Sequence, residues 1–160
     1  AKDEAEAVKW FQKAADQGHA SAQGKLGVSY ALGVGVSKDA VEAAKWYRKA
    51  AEQGDTNAQF NLGVCCENGE GVAKDEAEAV KWFQKAADQG CANAQINLGV
   101  CYANGAGVAK DVVEAYKWLN LAAASGDQRS GKNRESISKK MTPGQIAEAQ
   151  RLSREWKPNK

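Results

Sequence analysis

The chain has 160 residues, 26% charged and 43% hydrophobic, the proportions of a soluble protein large enough to bury a core. A formal net charge of +2 argues against nucleic acid as the partner, and no run of about 18 apolar residues is present to span a membrane. The charge is uneven: residues 1–126 hold 13 Lys and Arg against 16 Asp and Glu, whereas residues 127–160 hold 9 against 4. A basic tail of this kind is expected to be a solvated helix end rather than a phosphate-binding surface. There is no secretory n-region and h-region, but the sequence begins without Met and in mid-pattern, so an original leader can have been cut away.

The first eighteen residues, AKDEAEAVKWFQKAADQG, recur letter for letter at 73–90. They read as an amphipathic helix: an Asp-x-x-Glu start at Asp75 and Glu78, an apolar stripe of Ala79, Trp82, Phe83 and Ala86, and a stop at Gly90. Trp10, Trp46, Trp82 and Trp118 are spaced by 36, as are Gly18, Gly54, Gly90 and Gly126, and Gly27, Gly63 and Gly99. A fixed period in this range signifies a repeat architecture.

Each full repeat contains two helices. Helix A is predicted near 20–31, 56–67 and 92–103, with Leu26, Leu62 and Leu98 on its buried side. Gly27, Gly63 and Gly99 stand mid-helix, where Gly costs about 1 kcal/mol against Ala unless a neighbouring helix needs the space. The loops GVGVSKD, GEGVAKD and GAGVAKD follow. Helix B is predicted near 40–53, 76–89 and 112–125. Its inner face alternates small and large: Ala43, Tyr47, Ala50; Ala79, Phe83, Ala86; Ala115, Leu119, Ala122. Residues 1–18 are a helix B alone, so the array comprises a half repeat at 1–18, full repeats at 19–54, 55–90 and 91–126, and a C-terminal helical cap at 127–160. In the cap the period breaks. A polar, basic stretch with Ile137 as anchor precedes Thr142-Pro143-Gly144-Gln145, a helix start with a capping-box partner, and an apolar stripe of Ile146, Ala149, Leu152 and Trp156.

The pattern A-Q-x-x-L-G, then G-x-G-V-x-K-D, then E-A-x-K-W and A-A-x-x-G resembles the Sel1-like repeat family over residues 1–126. The M-T-P-x-Q-I-A-E-A-Q-R-L stretch at 141–152 is similar to the closing helix of bacterial members. The resemblance implies an all-α, right-handed α/α superhelix of helix-turn-helix repeats, a scaffold or adaptor role with protein or peptide partners, and a soluble protein of the bacterial cytoplasm or periplasm. His19 and Cys91 depart from the pattern, since Asp55 and Asp127 are the more typical occupants of that position.

Catalysis finds little support in the residues. The G-x-G loops follow helices rather than strands, so helix ending explains them better than phosphate binding. His19 is the only histidine and is separated by a repeat or more from the cysteines, which argues against a Cys–His pair. Cys65, Cys66, Cys91 and Cys101 match no zinc spacing and read as small buried thiols. A cysteine-rich branch of Sel1-like proteins, linked to penicillin binding and β-lactamase activity, carries its disulfides near the end of helix B and early in the next helix A. Here Ala87 and Gln95 hold those places, so hydrolase activity is only an alternative. No catalytic residue, metal ligand or cofactor is assigned.

By analogy with tetratricopeptide helices, the concave side should present Lys25, Val28, Asn57, Phe60, Asn61, Val64, Glu67, Asn93, Ile96, Asn97 and Val100, ending beside Arg129 and Lys132. An Asn amide donates and accepts at once, which suits the backbone of an extended segment. An acidic end is expected near Arg129 and Lys132. A second alternative is self-association: Trp10 and Phe11 lack a preceding helix A, so a weak homodimer through residues 1–18 is expected.

Overall fold

The computed structural model describes residues 2–159. Among them are nine helices and no strand, and no helix is long and apolar enough to cross a membrane. Two compact units are formed, residues 1–75 and 76–160.

The first unit contains α1 (Lys2–Asp16), α2 (Ala20–Leu32), α3 (Ala40–Glu52) and α4 (Thr56–Asn68). Each helix packs on the next. The helix periods predicted from sequence are met to within a residue or two. Leu26 and Leu62 have no solvent exposure. Val8, Ala15, Leu26 and Trp46 form a core cluster, with Phe11, Tyr30 and Val36 half-buried against it. Phe11 is thus part of the core, whereas Trp10 is 62% exposed. Gly27 is where α2 and α3 touch: a Cβ there would lie 2.6 Å from Cδ1 of Tyr47, so only Gly permits the approach.

The helix A to helix B loop closes on itself by a bond from the Asp39 N–H to the Tyr30 carbonyl at 2.9 Å. The Asp39 carboxylate then accepts from the Val41 and Glu42 N–H groups at 2.9 and 3.0 Å, satisfying two otherwise orphaned donors of α3. Gly33 ends α2 in the left-handed region at φ 72°. Gly35, also at φ 72°, lies so close to α1 that a Cβ would stand 2.5 Å from the Glu4 carbonyl oxygen. The second Gly of the G-x-G therefore seats the loop against the first turn of the preceding helix B.

The second unit contains α5 (Glu76–Asp88), α6 (Ala92–Asn104), α7 (Val112–Ala124), α8 (Gln128–Ser138) and α9 (Pro143–Glu155). Leu98, Leu119, Ala115 and Ala122 are fully buried. α9 begins with a complete capping box between Thr142 and Gln145 and has Pro143 in its first turn. It packs along α7, burying Ala149 with Tyr116 and Met141, and the Trp156 ring meets Trp118 edge-on at 6.2 Å.

After Gly126, where the sequence period breaks, the backbone packing continues. α8 packs on α7 and touches α6, as α4 packs on α3 and touches α2. Its start is capped by Asp127, which accepts from the Arg129 and Ser130 N–H groups at 2.8 and 3.0 Å. The Asp55 carboxylate caps α4 in a related way, at the Ala58 N–H. Ser130, at the small-residue position of Ala58 and Ala94, is fully buried. α8 thus packs in the place of a helix A with a polar sequence in place of the apolar repeat letters.

Candidate functional site

In the first unit, α2 and α4 enclose an open cleft of about 370 Å³. Four residues expected on the binding side, Lys25, Val28, Asn57 and Asn61, line it together. They are placed by helical spacing: Lys25 and Val28 are one turn apart on α2, and Asn57 and Asn61 one turn apart on α4. The apolar part comprises Val28, Leu32 and Val34, exposed by 39%, 67% and 40%. The polar part comprises the two asparagines, Ser21 and Asp55. The Asp55 carboxylate accepts the Ala58 N–H at 2.8 Å, and the Lys25 ammonium lies 5.5 Å from the centre of the Phe11 ring. Phe60, Val64 and Glu67 follow along α4 and are half-buried.

In the second unit the expected residues separate. Asn93 and Val100 are exposed on α6 and Asn97 is half-buried. Ile96 is buried, packed with Leu119 and Ala122 under Ile137 of α8. Its side chain belongs to the core, because α8 covers the position that the repeat pattern alone assigns to the surface. Arg129 lies on α8 and donates to the Asn93 side-chain oxygen at 3.3 Å and to the Asp127 carboxylate at 3.0 Å. The Arg129 hydrogen bond and the Ser130 N–H hold the Asp127 carboxyl down to about 2. Arg129 is therefore exposed but already paired with Asp127, a neighbour on its own segment. Lys132 is exposed. A second opening, about 380 Å³, involves Val100 of α6, Val112 of α7 and Asn133 and Ile137 of α8.

Several residues of these clefts lie outside the sequence-based set, Leu32, Val34 and Asn133 among them. Leu32 follows Val28 by four residues, a signal at helical spacing that its place at the helix end obscured. Val34 sits in the loop, where the period gives no guidance. Asn133 stands 36 residues after Asn97 and 72 after Asn61, so the repeat itself points to it once α8 is recognised in the place of a helix A.

The thiol chemistry is that of packing. All four cysteines are thiols, with Cys65, Cys66 and Cys101 buried. Burial pushes the Cys65 thiol up to about 11, opposite to what a nucleophile requires. His19 stands before α2 and makes no side-chain cap. Among the described residues no group of three or more His, Cys, Asp or Glu converges on a common point that could hold a metal ion.

A family model described as the Sel1 repeat matches residues 1–19, 20–55, 56–91 and 92–127. Among solved structures, a Sel1 repeat protein from Oxalobacter formigenes is 34% identical with a TM-score of 0.78, the match covering 95% of this chain and 65% of that one. A protective antigen present in uropathogenic Escherichia coli strains, displaying an SLR fold, is 33% identical with a TM-score of 0.71, over 93% of this chain and 40% of that one. The chain thus spans less than two thirds of the length of either. No curated protein sequence matches.

Proposed function

Because the chain belongs to the Sel1 repeat family, we propose that it is a protein-interaction scaffold whose helix A side binds a segment of a partner protein. The observation that carries this reading is the α2–α4 cleft, where exposed Val28, Leu32 and Val34 adjoin the Asn57 and Asn61 amides. A shallow apolar strip gives contact area, and side-chain amides beside it satisfy a peptide backbone. The open shape suits a peptide better than a compact small molecule, which needs deeper enclosure. A photo-crosslinking amino acid placed at Asn57, with Lys45 on α3 as the control position, tests the surface. Capture of one protein from Asn57 and none from Lys45 is expected; the reverse places the partner on the helix B side. With the partner in hand, Asn61→Ala with Asn97→Ala should weaken binding by about 1–3 kcal/mol.

Self-association is a second reading, favoured by one observation. Trp10 is 62% exposed, whereas Trp82, in the same eighteen-letter sequence, is 7% exposed. Sedimentation velocity across a hundredfold range of concentration would detect a dimer, which Trp10→Ser should abolish. A single monomer peak throughout would dismiss it.

A further inference from the structure

We infer that the segment taken up in the α2–α4 cleft carries no net charge and is anchored by a large aliphatic or aromatic side chain; this rests on the scaffold reading above and names its partner class. The first observation is the distribution of charge between the two kinds of helix. α3 and α5 each carry five charged residues in thirteen. The helix A elements of the three repeats are nearly bare: Lys25 is the single charge of α2, Glu67 that of α4, and α6 has none, whereas α7 has two and α8, outside the repeats, has four. The second observation is what the cleft does with its own charges. It has one of each sign, Lys25 and Asp55. Asp55 is committed to the Ala58 N–H at 2.8 Å, and Lys25 is drawn toward the Phe11 ring.

An ionised side chain entering this cleft gives up water and meets one charge of each sign, so its attraction to Lys25 or Asp55 is offset by repulsion from the other. A neutral segment loses nothing of the kind. Its backbone groups can pair with the Asn57 and Asn61 amides and the Ser21 hydroxyl, and its anchor can cover Val28, Leu32 and Val34. A volume of about 370 Å³ accommodates one large side chain and the backbone on either side of it.

The test uses the intact 160-residue chain, labelled with nitrogen-15, and three acetylated and amidated ten-residue peptides. All have a central Leu-Leu pair in a Gly/Gln background, flanked by Ser, by Glu or by Lys. The Ser-flanked peptide should shift the amide signals of Val28, Leu32, Asn57 and Asn61 and bind at least about fivefold tighter than either charged peptide. Its affinity should change less than about twofold between 50 and 500 mM NaCl, since no charge pair is there to be screened. Leu32→Asp should remove the binding, and Leu32→Ser should weaken it, with helix content unchanged because residue 32 is exposed. Tighter binding by the Glu or Lys peptide, localised to the same amides, overturns the charge inference and leaves the scaffold reading standing. Shifts confined to α3, or none with any peptide at millimolar concentration, overturn both.

Discussion

The Gln95 side-chain amide donates to the Ala87 carbonyl at 3.3 Å, joining α6 to the end of α5. The same bond runs from Gln23 to Ala15 at 3.1 Å and from Gln59 to Ala51 at 3.2 Å. All three glutamines are buried. Each carbonyl lies in the last turn of a helix B, where it lacks an intrahelical partner, and each also accepts from the Gly at the following turn. A side-chain hydrogen bond thus links the same two helices in each repeat.

Gln95→Leu should therefore destabilise the protein by about 1 kcal/mol, the net value of one hydrogen bond with its carbonyl still served by Gly90. Gln95→Glu at neutral pH should cost more, about 2–3 kcal/mol, because a carboxylate is buried facing a carbonyl oxygen. Acidification to protonate the new carboxyl should narrow the gap between the two variants. Urea melts at two pH values measure this, and equal midpoints for both variants at neutral pH would contradict it.

Two glycines of α2 separate packing from propensity. At Gly24 a Cβ would have only Asp55 atoms nearby, at 3.6–3.9 Å, whereas at Gly27 it would strike the Tyr47 ring at 2.6 Å. Gly24→Ala should stabilise by up to about 1 kcal/mol through helix propensity. Gly27→Ala should destabilise by about 1–3 kcal/mol through overpacking. Thermal unfolding of the two variants checks the opposite signs.

The repeat period made most of the fold legible. Leu26, Leu62 and Leu98, the alternating face of helix B and the mid-helix glycines each follow from a 36-residue recurrence, because equivalent positions meet equivalent neighbours. The period misleads where the neighbours change. Ile96 is equivalent to Gly24 and Phe60, yet α8 lays Ile137 over it and makes it core. α8 itself was obscured because its helix A contacts are made by a polar sequence with Ser130 as the buried residue. The apolar end of the cleft was half hidden for a third reason: Leu32 and Val34 are peculiar to the first repeat, where Asn68 and Asn104 or Glu70 and Ala106 stand later.

The cysteines should react at different rates. Cys91 is half-buried at the N-cap of α6, whereas Cys65 is buried and its thiol is pushed up to about 11, chiefly by burial. At pH 8 a thiol reagent should modify Cys91 first, in a phase of one thiol, with the buried thiols following only as the fold opens. After denaturation without reductant the total should be four, and a total of two would reveal a disulfide. Because folding favours the neutral Cys65 thiol, the folded state binds more protons than the unfolded one between about 9 and 11, so this group's contribution to stability falls as pH rises through that window.

Asp127 works in the opposite direction. Its carboxyl is held down to about 2, first by the Arg129 side chain and then by the Ser130 N–H. A carboxyl whose folded value is depressed contributes stability that is fully present above its unfolded value, about 3.9, and is lost as pH falls toward 2. Asp127 is the N-cap of α8, so the loss should be local at first. Protonation weakens the acceptor for the Arg129 and Ser130 N–H groups and releases the Arg129 side chain from both Asp127 and the position beside Asn93. Hydrogen-exchange protection of the first turn of α8 should therefore drop between about pH 4 and pH 2, before that of α9, whose start is capped by the uncharged Thr142 and Gln145 pair. Asp127→Asn should lower protection of α8 at neutral pH and flatten its dependence on acid. Equal acid sensitivity of the α8 and α9 starts, or an unchanged profile in Asp127→Asn, would show that this carboxylate does not govern the docking of α8.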